Sequence, residues 1–313
     1  MKLTVDGRRV AEELDTLAGI TAAEPPVVTR VLFTNADLRG RAYTQGLLED
    51  VGLEIRCDAV GNMFARWPGT EPSLPAIATG SHIDAIPNAG RFDGTVGVLG
   101  AIEAIRALKA AAFQPRRSLE LIVFTSEEPT RFGIGCLGSR LIAGTTSADA
   151  DERLLDREGI SLKDARTQAG FSGSLEGVRL EKGHYHAFVE LHIEQGPILE
   201  REGLGIGIVK AIAAPSSFRI SIEGEGGHAG AVLMPVRRDA FLAASEIALA
   251  VEAAVLASGS EDSVGTTGVC EVFPGAINSI PSRVKLEIDI RDIDQARRDG
   301  IIARMENSMA EIS

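Results

Sequence analysis

Three apolar runs in the first two thirds of the chain end in residues that a hydrophobic core rejects. "PAIATGSHID" closes on His82 and Asp84, "LELIVFTSEE" on Glu127 and Glu128, and "FVELHIEQG" on Glu190, His192, Glu194 and Gln195. Each run has the length and composition of a buried strand. A helical pattern, "GTVGVLGAIEAIRALKAA" over 94–111, separates the first two. Apolar strands alternating with helices predict an α/β fold with a mostly parallel sheet. In such a sheet ligands gather at the carboxyl ends of the strands. Three ends bearing imidazole and carboxylate at one rim predict a metal centre, because zinc and manganese both accept that donor set.

The surrounding pattern fills in the sheet. Helices are expected over about 7–19, 37–51, 135–143 and 160–169, and short strands over 53–57 and 62–67. Near residue 212 the pattern changes. Strand "SFRISIEGE", a helix over 236–257, strands "GTTGVCEVF" and "RVKLEIDIR", and a helix over 294–311 read β-α-β-β-α. That is a ferredoxin-like unit lacking its last strand. The expected domains are 1–212, a catalytic metal-binding domain, and 213–313, a lid or dimerisation domain. A sheet without its closing strand leaves an unpaired edge, so both domains are expected to be parts of a longer protein.

Charge narrows the partners. The 313 residues carry 32 basic and 44 acidic side chains, a net −12, with no basic stripe. Nucleic acid and anionic membrane are therefore excluded as expected partners. Three dispersed cysteines, Cys57, Cys136 and Cys270, form no CxxC pair and read as small apolar residues of a reducing compartment. The N-terminal segment is amphipathic rather than signal-like, and no run reaches about 18 apolar residues. A soluble, cytoplasmic protein is expected.

At the rim, neighbouring residues of a strand end point in opposite directions. Glu127 and Glu128 are thus expected to divide the work, one binding metal and the other taking a proton from metal-activated water. Asp84, two residues beyond His82, is expected to fix the ring tautomer. Asp93, in "RFDGTVG", precedes a helix N-terminus, where a carboxylate is favoured.

Five separated motifs, "GSHIDAIPNAGRFDGTVGVLGAIEAI", "FTSEEPTRFG", "ELHIEQGPILE", "GGHAGAVLMPVRRDA" and "GAINSIPS", stand in one order along nearly the whole chain. Together they resemble the amidohydrolase branch of the aminoacylase/carboxypeptidase-like metallohydrolases. Within that branch the loops around Asp93, Glu127 and His228 look closest to the ureidoglycolate-acting members, with allantoate amidohydrolases and N-carbamoyl-L-amino acid hydrolases as relatives. The resemblance implies two divalent ions, Mn2+ or Zn2+, bridged by Asp93, with His82 and His192 on one and Glu128 on the other. It implies Glu127 as general base, Asp84 behind His82, and His228 polarising the scissile carbonyl across a homodimer formed through the lid. Gln195, Asn278 and Arg291 are implied as contacts of a small ureido carboxylate substrate. One further second-site ligand, a His, falls beyond Ser313 in the family pattern. The alternative of another class is a non-catalytic fragment that binds metal or dimerises.

Overall fold

The computed structural model describes residues 3–313, which form two compact units divided after Gly203. The division falls ahead of the change in sequence pattern near 212. In chain order the first unit holds α1 (Gly7–Ala18), β1 (Val28–Arg30), α2 (Asn35–Asp50), β2 (Glu54–Cys57), β3 (Met63–Trp67), β4 (Ala76–His82), β5 (Ala85–Ala89), α3 (Thr95–Ala110), β6 (Leu119–Phe124), α4 (Leu137–Ala143), α5 (Ala148–Glu152), α6 (Leu162–Gln168), β7 (Tyr185–Val189) and α7 (Ile198–Arg201). Side-chain oxygens start several of the helices: Asp6 accepts from Arg9 N, Thr34 from Asp37 N and Ser161 from Asp164 N.

The main sheet runs β2-β3-β6-β4-β7. β4 lies parallel to β6 and β7, whereas β3 is antiparallel to both β2 and β6. The sheet is therefore mixed, not mostly parallel as expected. The cause is local. Residues 58–62 link β2 to β3 through a tight turn in which Asp58 Oδ1 accepts the N–H groups of Val60, Gly61 and Asn62 at 3.1, 2.9 and 2.9 Å. So short a link joins only antiparallel neighbours. The strands that carry the rim, β4, β6 and β7, are the mutually parallel ones, so the rim survives.

One face of the sheet is covered by α1, α2 and α3. Leu14, Leu17, Leu48, Leu99 and Ile102 pack there on Met63, Leu121 and Val123. A separate apolar cluster of Leu32, Phe33, Leu137, Leu141 and Leu162 holds the segments that follow β6. β4 presses close to β6: a Cβ on Gly80, at φ +138°, would fall 1.9 Å from Ile122 O. A short β1–β5 pair, Val28 opposite Ala89 and Arg30 opposite Ala85, had no sequence signal.

The second unit holds β8 (Ala214–Glu223), β9 (Gly227–His228), α8 (Ala240–Leu256), β10 (Val264–Phe273), β11 (Ser279–Ile280), β12 (Arg283–Asp292) and α9 (Gln295–Ile312). Its sheet order is β10-β12-β8, with β12 antiparallel to both neighbours. This is the split β-α-β arrangement that the β-α-β-β-α pattern anticipates. Ala244, Ile247 and Val251 of α8 and Ile301 and Met305 of α9 pack on Val284, Leu286, Ile288 and Ile290 of β12. Among the described residues no helix is long and apolar enough to cross a membrane.

Candidate metal centre

β4 and β6 end side by side, with His82 opposite Phe124. Beyond β6 the chain turns at Ser126, which holds φ +53° and is 1% exposed. The turn aims the next two N–H groups at one acceptor: Glu127 N and Glu128 N donate to the two oxygens of Asp84 at 3.2 and 3.0 Å. Asp84 is 1% exposed, and those bonds offset the cost of burying its carboxylate. Because the carboxylate is engaged there, His82 Nδ1 lies nearer the Asp84 main-chain oxygen, at 3.0 Å, than its Oδ1, at 3.6 Å. The geometry places a proton on Nδ1, so Nε2 is the nitrogen that would face a cation once its own proton is displaced. The Asp84 main-chain oxygen thus joins its carboxylate in holding the His82 ring.

Asp93 enters from the start of α3. Gly94, at φ +64°, makes the approach possible, since a Cβ there would sit 2.4 Å from the His82 ring. His192 comes from the segment after β7, its Nδ1 held 2.9 Å from Ile193 O. Asp93 Oδ1 lies 3.9 Å from His82 Nε2 and 3.4 Å from His192 Nε2, and ligand atoms of the three residues all fall within 4.8 Å of one another. Donors about 2.1 Å from a tetrahedral ion stand roughly 3.4 Å apart, so the trio fits a divalent cation after small adjustments.

Electrostatics agree. Burial pulls His82 down, but Asp84 and Glu127 outweigh it and raise the imidazole to about 9. Burial pushes Glu128 up to about 7; His82 opposes that rise, and Asp93 and Glu127 add to it. Such a cluster of acids gains from a positive charge among them. Glu127 and Glu128 face different surroundings. Glu127 Oε2 stands 3.6 Å from His82 Nε2, and Glu127 Oε1 accepts from Cys136 Sγ at 3.4 Å. Glu128 lies outside the convergent trio.

Of the other side chains at the third strand end, Glu194 caps α7, accepting from Ile198 N and Leu199 N at 3.1 and 2.9 Å. Glu190 accepts from Ser81 Oγ at 2.6 Å. Gln195, expected on the substrate, donates to Asp93 Oδ2 at 2.7 Å. In the second unit, β9 pairs with β11, with His228 opposite Ser279, and Ala229 N donates to Asn278 O at 2.9 Å. His228 and Asn278 are therefore neighbours. Arg291 is not with them: it lies near the far end of β12, bonded to Asp289 at 2.7 Å. At about 3.3 Å per residue, Arg283 and Arg291 are roughly 26 Å apart along the strand.

Sequence reading missed the support behind the rim. Arg41 joins Asp37, Gly61 O and Thr125 Oγ1, and Asn62 Oδ1 accepts from Thr125 N at 2.8 Å. Cys136 was read as a small apolar residue, and its spacing gave no sign of the Glu127 contact.

Known proteins resemble this chain. The family model for peptidase family M20/M25/M40 matches residues 78–293. The chain is 56% identical to ureidoglycolate hydrolase of Oryza sativa subsp. japonica over 99% of its own length and 65% of that protein. It is also 56% identical to ureidoglycolate hydrolase of Arabidopsis thaliana, over 99% of the chain and 67% of that protein. The chain thus spans about two thirds of the length of these curated relatives. The crystal structure of AtUAH in complex with glyoxylate superposes with a TM-score of 0.93 at 56% identity, covering 99% of this chain and 75% of that one. With the family pattern matched over 216 residues and the His82–Asp93–His192 rim in place, the chain belongs to peptidase family M20/M25/M40.

Proposed function

We propose that the protein is a metal-dependent amidohydrolase that cleaves ureidoglycolate to glyoxylate, carbon dioxide and ammonia. The observation that carries this reading is the convergence of His82, Asp93 and His192 beside Glu127 in a chain 56% identical to ureidoglycolate hydrolases. His82, Asp93 and His192 would hold one divalent ion, Mn2+ or Zn2+, and Glu128 a second that shares Asp93. When bound, such ions act as Lewis acids toward a carbonyl and bring the pKa of water to about 7.

The protein's own groups do the rest. Glu127 takes the proton of the attacking water and returns it to the leaving nitrogen. His82 Nδ1, held by Asp84 O, keeps Nε2 presented to the cation. Gln195 orients Asp93 through its 2.7 Å bond. His228 polarises the scissile carbonyl, and Asn278 and Arg291 bind the substrate carboxylate, Arg291 through a two-pronged charge-assisted contact. Because Asn278 and Arg291 of one chain stand far apart on the second unit, a carboxylate held by both draws them from two copies. A homodimer through the second unit supplies them, in the cytoplasm.

The test is ammonia release by the metal-loaded chain from ureidoglycolate, allantoate, N-carbamoyl-L-amino acids and dipeptides. Ureidoglycolate is expected to give the highest kcat/KM, and a chelator to abolish turnover. Preference for any other member of the panel overturns the substrate, and chelator-resistant turnover overturns the metal.

A further inference from the structure

Glu127 reaches the rim on three rotatable bonds, and its side chain is 40% exposed. A base that must face one water in one orientation loses rate when its carboxyl group swings. Among the described residues a single hydrogen-bond donor meets that carboxyl group: Cys136 Sγ, 3.4 Å from Oε1. Oε2 is left on the other side, 3.6 Å from His82 Nε2. One oxygen is tied back, and the other faces the cation-binding nitrogen.

The backbone sets where the thiol stands. Cys136 N donates to Glu127 O at 2.7 Å, Leu137 N to Ser126 O at 2.9 Å and Gly138 N to Thr125 O at 2.9 Å. The start of α4 is thereby laced to the segment that presents Glu127. Gly138 allows no slack, since a Cβ there would lie 2.1 Å from Asn62 Oδ1 and 2.7 Å from Thr125 O. Cys136 itself holds φ +58°, so its side chain projects from a turn whose ends are both fixed.

We infer that Cys136 is a positioning residue: its S–H donates to Glu127 Oε1 and leaves Oε2 aimed at the reacting water. This rests on the reading of Glu127 as the base. Burial and the Glu127 charge push the Cys136 thiol up to about 11, so it keeps its proton, and remains a donor, at neutral pH.

The test uses the metal-loaded full chain with Cys136→Ala and Cys136→Ser. Both replacements have a Cβ, as Cys does, so neither adds backbone strain at positive φ. Cys136→Ala is expected to lower kcat roughly three- to tenfold with KM and metal content unchanged, because a weak donor that orients a base affects the transition state and not substrate binding. Cys136→Ser, which keeps a donor, is expected to stay within about twofold of wild type. Equal loss in both variants, or loss tracking metal content, assigns a packing role and overturns the inference; so does an Ala variant with wild-type kcat.

A second arm needs no substrate. In a Cys57→Ser, Cys270→Ser background, which removes the two exposed thiols, the reaction of Cys136 with a neutral aromatic disulfide is timed with and without Glu127→Ala. Faster modification in the Glu127→Ala protein supports the contact, and an unchanged rate overturns it. If wild type hydrolyses nothing in the panel, the functional reading fails while this arm still reports on Cys136 and Glu127.

Discussion

Two glutamates adjacent in sequence face different surroundings, and each difference has a measurable consequence. Glu127 lies 3.6 Å from His82 Nε2 and outside the convergent trio, where the proposed mechanism needs its base. Glu127→Gln keeps the shape and removes the base. Turnover is expected to fall by about 10²–10⁴ while metal content, read by elemental analysis, stays at the wild-type level. Metal loss in step with turnover would make Glu127 a ligand instead. His82 carries its own pH signature. Raised to about 9 in the metal-free protein, it is protonated at pH 7, and a cation must displace that proton. Apparent metal affinity is therefore expected to rise with pH toward 9. The rise is about tenfold per unit from this ligand alone, so binding at pH 6 should be roughly a hundredfold weaker than at pH 8. Equal affinities at the two pH values, measured by competition with a chromogenic chelator, would sink that assignment.

At the scale of elements, what was legible in the sequence was local, and what was hidden depended on distant partners. β4, β6 and α3 announced themselves because their apolar residues repeat within a few positions, and their ends carried the His and acids. The antiparallel pairing of β3 with β6 did not, because a partner far along the chain leaves no mark in either strand's own pattern. Gln195 was legible as a site residue, but not its bond to Asp93, a partner 102 positions away. Glycine positions show how tightly elements meet at the rim. Gly94→Ala would force a Cβ within 2.4 Å of the His82 ring at positive φ. Metal binding is expected to weaken at least tenfold while the far-ultraviolet circular dichroism spectrum is unchanged. Loss of the spectrum would show that α3 itself depends on Gly94. In the second unit Asp292 ties the end of β12 to α9. It is 1% exposed, bonded by Arg297 at 2.7 and 2.9 Å, by Ser263 and by Asp294 N. The Arg297 hydrogen bonds lead in holding its carboxyl group well below the ordinary 3.8. A folded-state value below the unfolded one stabilises above pH 4, and that stabilisation is lost as the pH falls. Asp292→Asn is expected to lower the melting temperature by roughly 3–8 °C at pH 7. The gap should narrow below pH 4; a constant gap would point to packing.

At the scale of the whole molecule, the second unit presents more apolar surface than an isolated unit needs. Leu242, Leu249 and Leu256 recur every seven residues on α8 and are 54, 65 and 74% exposed; Phe241 beside them is 43% exposed. That spacing places the three leucines along one stripe of the helix, away from the Ala244–Ile247–Val251 face that packs on β12. A stripe of this kind marks an interaction surface, and β10, at the edge of its sheet, offers unpaired backbone groups nearby. In the proposed homodimer a second copy would cover this stripe, which would also account for His228 and Asn278 standing apart from Arg291. The chain is expected to sediment as a dimer of about 66 kDa, twice the 33.1 kDa of one copy. Leu242→Glu with Leu249→Glu places charges where apolar surface would be buried, so the mass should fall toward that of one chain with helix content retained. If the homodimer brings Asn278 and Arg291 to one carboxylate, the charged variant should also lose ureidoglycolate turnover by at least tenfold while keeping its metal, because the rim lies wholly in the first unit. A monomeric variant with undiminished turnover would show that one chain is sufficient and would remove the argument for a shared carboxylate site.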